Sequence, residues 1–129
     1  MASSIVGTWK LIRATAADGS GKPIGVPYGP QGMGLVTLNA DGRMMAVLCD
    51  GRVALPAGTR REYNSYCGNY SFDGSTLVTK VDACSDPARM GTGQVRKVRF
   101  EDGRMILQPP PSEMNGVQVQ REMTWERIA

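Results

Sequence analysis

The stretch Val98–Leu107, VRFEDGRMIL, places the dipeptide Asp102-Gly103 between two short runs rich in apolar residues. The pairs Asp41-Gly42 and Asp73-Gly74 stand in similar surroundings. A two-residue type I′ turn needs positive φ at both central residues, which Asp tolerates and Gly adopts freely. The three pairs therefore predict three tight β-hairpins in a chain that is mostly antiparallel β-sheet.

Eight strands are predicted from the alternating and β-branched runs between the turns. Strands joined in order by tight turns favour an all-β, eight-stranded antiparallel up-and-down barrel, since closure removes the unpaired edges of an open sheet. A flattened β-sandwich is the alternative, and Arg52–Asn64 is expected to hold at most one short helix or an irregular crossing. The predicted strands are 5–15, 32–39, 43–49, 66–72, 75–83, 93–100, 104–109 and 117–128.

Length and composition bound the class of protein. A chain of 129 residues with 41% hydrophobic residues predicts one domain spanning 1–129. No apolar run approaches the roughly 20 residues that cross a bilayer, and the N-terminus lacks a signal-peptide pattern, so we expect a cytoplasmic protein without membrane insertion. The net charge of +3 is spread along the chain without a basic cluster, which argues against a nucleic-acid partner.

Metal and thiol chemistry are not expected. The chain has no histidine, and Cys49, Cys67 and Cys84 lack metal-binding spacing, so we predict no metal, no cofactor and no Ser-His-Asp or Cys-His catalysis. A two-residue loop at 73–74 would pair Cys67 with Lys80 and leave it about 13 Å from Cys84 along the strand. The cysteines are therefore expected to be free thiols.

The turn register also predicts which side chains face the interior, because successive side chains of a strand point to opposite faces. A two-residue loop at Asp41-Gly42 pairs Val36 with Val47 and Leu38 with Met45. The same alternation applies beside the other two turns and along the last strand. The apolar and aromatic residues expected to line the interior and contact a ligand are Val36, Met45, Tyr66, Tyr70, Phe72, Phe100 and Met123.

Two arginines, Arg96 and Arg121, fall on the same inward faces. A guanidinium group cannot be buried without partners, because its desolvation costs more than packing returns. The partner is either the anionic group of a ligand or a set of protein carboxylates and carbonyls at the barrel mouth. A β-bulge that turns the side chains outward is a further alternative.

Two functions are compatible with this pattern. The first is binding of a small hydrophobic or amphipathic molecule, whose polar end lies near Tyr70, Arg96 and Arg121. This polar end is an anionic group if it is the partner of the two arginines. The alternative is a small-molecule isomerase or cyclase that uses these three residues as catalytic groups, because an arginine lowers the pKa of a tyrosine that donates a proton to an oxyanion. A third possibility is a filled barrel that serves as an interaction module.

Several motifs occur together in this chain. They are Ile5–Leu11 (IVGTWKL), Pro27–Pro30 (PYGP), Gly34, Asn39–Met44 (NADGRM), Tyr66-x-Gly68-x-Tyr70, Gln94–Arg96 and Thr124–Arg127 (TWER). With this set the chain resembles the bacterial and fungal lipocalin-like domain family, which has a calycin-type barrel.

The resemblance implies a barrel with a central cavity for small apolar molecules, open at one end. It also implies that Trp9 closes the narrow end, covered by an arginine near the last strand. Arg127 is the residue at that position here.

Overall fold

The computed structural model describes residues 4–114 and 116–129. Within these residues the regular structure is β-strand, apart from one 3-10 turn at Pro87–Arg89 that Asp86 caps through its side chain. The strands are β1 (Gly7–Asp18), β2 (Gly32–Leu38), β3 (Arg43–Asp50), β4 (Tyr63–Phe72), β5 (Thr76–Cys84), β6 (Gly93–Glu101), β7 (Arg104–Gln108), β8 (Ser112–Met114) and β9 (Val117–Arg127).

The strands form a closed antiparallel barrel. Strands β1 to β7 pair in chain order, β7 pairs with β9, and β9 returns to β1 along Trp9–Asp18. The predicted eight-stranded up-and-down barrel is confirmed. The short strand β8 was not predicted, and it extends β9 as a ninth strand beside the closed circuit.

Only one of the three Asp-Gly pairs forms the predicted two-residue turn. Asp102 and Gly103 have φ of 52° and 77°, and Glu101 lies opposite Arg104. At the first pair Asn39 N–H donates to the Arg43 carbonyl, so the loop contains three residues. A three-residue loop shifts the register of β2 and β3 by one residue from the prediction.

This shift overturns the predicted inward orientation of two residues, Val47 and Met45, and both are exposed. Leu38 lies opposite Met44 instead of Met45. Because a one-residue slip exchanges the two faces of a strand, Met44 is buried with 2% exposure and Met45 is 57% exposed on the outside. The prediction that Met45 lines the interior is wrong.

In the hairpin at Asp73-Gly74, Asp73 N–H donates to the Thr76 carbonyl at 3.3 Å, so the two loop residues are Gly74 and Ser75 instead of Asp73 and Gly74. Phe72 lies opposite Leu77, and the Asp73 carboxylate accepts from Ser75 N and Thr76 N at 2.9 and 2.7 Å. The register therefore differs from the prediction by two residues, which leaves every side chain on its predicted face. The inward orientation of Tyr66, Tyr70 and Phe72 is confirmed by their packing in the core.

The three cysteines are free, but the predicted distance between two of them is wrong. A β-bulge at Cys67 and Gly68 brings Cys67 opposite Ala83, so Cys84 is one residue further along instead of four. Their side chains lie on opposite faces of the sheet. Cys84 packs against the core, whereas the Cys67 sulfur contacts the exposed Asp82 carboxylate. This opposition prevents a disulfide.

One end of the barrel, here called the closed end, is sealed by Trp9 and Arg127. The Arg127 guanidinium carbon lies 4.2 Å from the centre of the Trp9 ring, and Trp9 Nε1 donates to the Ile5 carbonyl at 3.0 Å. Arg127 also donates to the carbonyls of Ser4 and Val6. The arrangement implied by the family resemblance is therefore present.

The segment 52–62 crosses the opposite end without forming a helix. Asp50 is buried and accepts from Arg52 Nε at 3.0 Å and from Arg52 Nη2 at 2.6 Å. Arg61 Nη1 donates to the carbonyls of Asp50 and Arg52 at 2.6 and 2.7 Å. Two arginines thus fix an irregular segment in which no residue is buried.

Gly68→Ala should destabilise the barrel, because a methyl group at the bulge would overlap the backbone carbonyl of Lys80. We expect the free energy of unfolding, measured by urea denaturation, to fall by about 2 kcal/mol or more. The control Gly93→Ala places its methyl 3.8 Å from Val78 Cγ1, an ordinary contact, and should remain within about 1 kcal/mol of wild type. Equal losses of unfolding free energy in the two variants would contradict the conclusion that the bulge leaves no space for a side chain at Gly68.

Asp50→Asn should lower the free energy of unfolding at neutral pH. Hydrogen bonding to Arg52 holds the pKa of the Asp50 carboxyl below its usual value. Its stabilisation is therefore present above the unfolded pKa of about 4 and is lost as the pH falls through the folded pKa. Urea unfolding at a series of pH values should show the two proteins converging below about pH 4.

Asp102→Asn is the matched control for this titration, because a type I′ turn accepts Asn as readily as Asp. It should retain the pH dependence of the wild-type protein. A deficit in Asp50→Asn that stays constant at low pH would contradict the role of the ion pair.

Candidate functional site

A cavity of about 250 Å³ occupies the end of the barrel opposite Trp9. At this open end β2, β4 and β6 begin, whereas β1, β3 and β7 end. Its position follows from the antiparallel circuit, because Trp9 lies near the start of β1 and Asn64, which lines the cavity, lies near the start of β4. Side chains that point inward in this half of the barrel therefore surround empty space.

The deeper wall of the cavity is apolar. It is built by inward residues of β2, β3, β7 and β9, whose alternation with outward residues follows from the pleat. These residues are Val36, Ala46, Leu48, Leu107, Met123 and Trp125.

Arginines with neutral partners line the mouth of the cavity. Arg89 donates to Asn64 Oδ1 at 2.7 Å and to Gln94 Oε1 at 2.6 Å. Arg96 donates to the same Gln94 oxygen at 3.1 Å and to the Val95 carbonyl at 2.8 Å. Two cationic groups therefore converge on one uncharged oxygen.

Arg89 is held over the aromatic wall as well. Its guanidinium carbon lies 5.3 Å from the centre of the Tyr66 ring, within the range of a cation–π interaction. The 3-10 turn Pro87–Arg89 brings the side chain to this position, and Asp86 fixes the turn by accepting from Ala88 N at 3.1 Å. Two hydrogen bonds and one aromatic contact thus position the Arg89 side chain.

Arg121 lies between the cavity and a neighbouring outer groove, and it lines both. Its Nη1 is 3.9 Å from Glu62 Oε2, and the two side chains are 31% and 44% exposed. Such a long, partly exposed contact contributes little to stability. Glu62 belongs to the lining of the groove, and none of the described residues that line the cavity is Asp or Glu.

Arg89 and Arg96 bring two positive charges to the mouth of a cavity to which the described residues contribute no carboxylate, and the third guanidinium group, that of Arg121, lies 3.9 Å from Glu62. A concave site with charges of one sign concentrates counter-ions, and low-dielectric walls strengthen the effect. The apolar floor and the cationic mouth together suit an amphipathic anion. The partners of the two inward arginines are protein groups: Arg96 donates to neutral oxygens, and Arg121 lies near Glu62.

Tyr28 adds a hydroxyl group to the cavity lining. The residue is buried, and its N–H donates to Glu62 Oε1 at 2.9 Å. Burial, and next the negative charge of Glu62, raise the pKa of the phenol above its ordinary value. The hydroxyl group is therefore protonated at neutral pH.

The structure brings five of the predicted site residues to the cavity and leaves four elsewhere. Tyr70 donates its hydroxyl to the Asn39 carbonyl at 2.7 Å, and Phe100 lies 6.4 Å from the Trp9 ring, so both fill the closed half together with Phe72. Met45 is outside. The predicted convergence of Tyr70 with the arginines is not observed. The predicted residues that line the cavity are Val36, Tyr66, Arg96, Arg121 and Met123.

Sequence reasoning did not assign Asn64, Arg89 or Gln94 to the site. Gln94 is two residues from Arg96 and faces inward by the same alternation, so the pattern contained its position. Asn64 was missed because the predicted β4 began at Tyr66, whereas the strand begins at Tyr63. For Arg89 the available signal was Asp86-Pro87, which is typical of the start of a helical turn.

The described residues contain no helix with the length and hydropathy needed to cross a membrane. They also contain no group of three or more His, Cys, Asp or Glu side chains arranged to hold a metal ion. Comparison with curated proteins and with solved structures finds no match. A family model described as a lipocalin-like domain matches residues 6–128, and the chain therefore belongs to the lipocalin-like domain family.

Proposed function

We propose that this protein binds a small amphipathic anion in the cavity at the open end of the barrel. A lipocalin-like barrel suggests small-molecule binding in general. The observation that carries the finer proposal is the set of three arginines, Arg89, Arg96 and Arg121, around a cavity whose lining, among the residues that the structure describes, includes no carboxylate.

An anionic group is a better partner for Arg89 and Arg96 than the amide oxygen they share. A carboxylate adds the attraction of opposite charges to the hydrogen bonds and can accept from a guanidinium group with two oxygens, which an amide oxygen cannot do. The two guanidinium groups converge on Gln94 Oε1, so a carboxylate with two oxygens can accept from both when the glutamine side chain moves aside. The cost of leaving the arginines partly desolvated is then offset on binding.

The apolar floor selects the other end of the ligand. Each square ångström of apolar surface removed from water contributes about 25 cal/mol, so a ring or short chain adds to the affinity without a specific contact. The cavity of about 250 Å³ corresponds to about eight water molecules at roughly 30 Å³ each. This size favours a single-ring carboxylate over a long-chain lipid.

Arg89→Met and Arg96→Met test the charge requirement. Phenylbutanoate and the uncharged phenylbutanamide serve as matched probes, with affinities measured by NMR titration of the labelled protein. Each substitution should weaken phenylbutanoate binding by about 2 kcal/mol, or roughly thirtyfold, because a charge-assisted contact is lost. Binding of the amide should change by less than about threefold.

Arg104→Met is the control, because Arg104 is exposed beside the Asp102-Gly103 turn at the closed end. It should leave both affinities at the wild-type value. The proposal fails if the wild-type protein binds the acid no better than the amide, or if the three variants weaken the acid equally.

A further inference from the structure

Tyr28 has a backbone conformation that a bulky residue rarely adopts. Its φ is 64°, and Gly29 N–H donates to the Val26 carbonyl at 3.0 Å, which makes Tyr28 the third residue of a four-residue turn. That position of a type II turn normally holds glycine. Strained residues of this kind persist where surrounding contacts hold them, and they cluster at functional sites.

A hydrogen bond from the crossing segment holds this turn in place, since Glu62 Oε1 accepts from Tyr28 N–H at 2.9 Å. The next residue, Gly29, lies close to the end of β3, where a methyl group would be 2.6 Å from Asp50 Oδ2. The tyrosine side chain, only 6% exposed, is thereby directed to the cavity that it lines. A glycine would relieve the backbone but would remove the phenol from the cavity.

Tyr28 shares the cavity lining with Asn64 and Arg89. Asn64 Oδ1 accepts from Arg89 Nη1 at 2.7 Å, so the neutral amide and the guanidinium group are fixed beside each other in this lining. Burial, the largest cause, raises the pKa of the Tyr28 phenol, although Asn64 lowers it. The phenol is therefore protonated at neutral pH and has a proton to donate to a ligand in the cavity.

We infer that Tyr28 donates a hydrogen bond to an uncharged oxygen of the ligand, so that the preferred ligand is an oxo acid. Arg89 and Arg96 take the carboxylate, and Tyr28 takes a carbonyl oxygen elsewhere on the same ligand, because the three side chains line one cavity of about 250 Å³. This inference rests on the proposed function and narrows its ligand class. Tyr28 is then the residue that distinguishes a keto acid from the corresponding hydrocarbon acid.

Benzoylpropanoate and phenylbutanoate test this inference, because they share a carboxylate and a phenyl ring and differ by one ketone oxygen. The wild-type protein should bind benzoylpropanoate about fivefold more tightly, the effect of one additional hydrogen bond. Tyr28→Phe keeps the ring and the backbone, and it should bring the ratio of the two affinities close to one. Its affinity for phenylbutanoate should stay within about twofold of wild type.

Tyr63→Phe is the matched control, since Tyr63 is exposed and its hydroxyl donates to Ser65 on the outer face. It should preserve the wild-type ratio. Equal binding of the two acids by the wild-type protein would overturn the role of Tyr28 and leave the anion site intact. If neither acid binds, both the anion site and the role of Tyr28 are overturned. If Tyr28→Phe fails to fold, the ratio of the wild-type affinities for the two acids tests whether the site prefers an oxo acid.

Discussion

The stacking of Arg127 on Trp9 determines where this barrel is filled and where it is empty. The indole occupies the interior at the closed end, and the guanidinium covers it while donating to backbone carbonyls of the preceding segment. Gly7 permits this approach, because a side chain at that position would overlap the guanidinium group. With one end sealed by packed aromatic and aliphatic residues, the interior space lies at the other end.

Departures from ordinary packing concentrate at the open end. Arg89 and Arg96 share a neutral acceptor, Arg121 makes a long contact with Glu62, and Tyr28 adopts a left-handed backbone conformation. Natural proteins break local rules mainly at functional sites. In the closed half, buried apolar side chains pack around Trp9, whose Nε1 donates to the Ile5 carbonyl. This contrast supports a ligand site in the open half independently of the resemblance to the lipocalin-like domain family.

The sequence predicted the barrel and most side-chain orientations, but it did not predict the loop geometry. The same dipeptide forms three different loops, because the Asp41 and Asp73 carboxylates accept from backbone N–H groups two or three residues ahead, which competes with a two-residue turn centred on the Asp-Gly pair. Near Asp73 the strand register differs from the prediction by two residues, so the side chains stay on their predicted faces. Near Asp41 it differs by one residue, so Met45 points outward instead of inward. Arg89 comes from a loop, and alternation along strands carries no information about such a residue.

The most direct measurement of an anion site in the open end follows the side-chain Nε–H resonances of individual arginines by NMR while phenylbutanoate is added. An anion site at the open end predicts saturable shifts for Arg89 and Arg96. It predicts none for Arg43 and Arg99, whose guanidinium groups pair with carboxylates on the outer surface. Saturable binding that leaves Arg89 and Arg96 unchanged would contradict it. So would shifts of equal size at all four arginines.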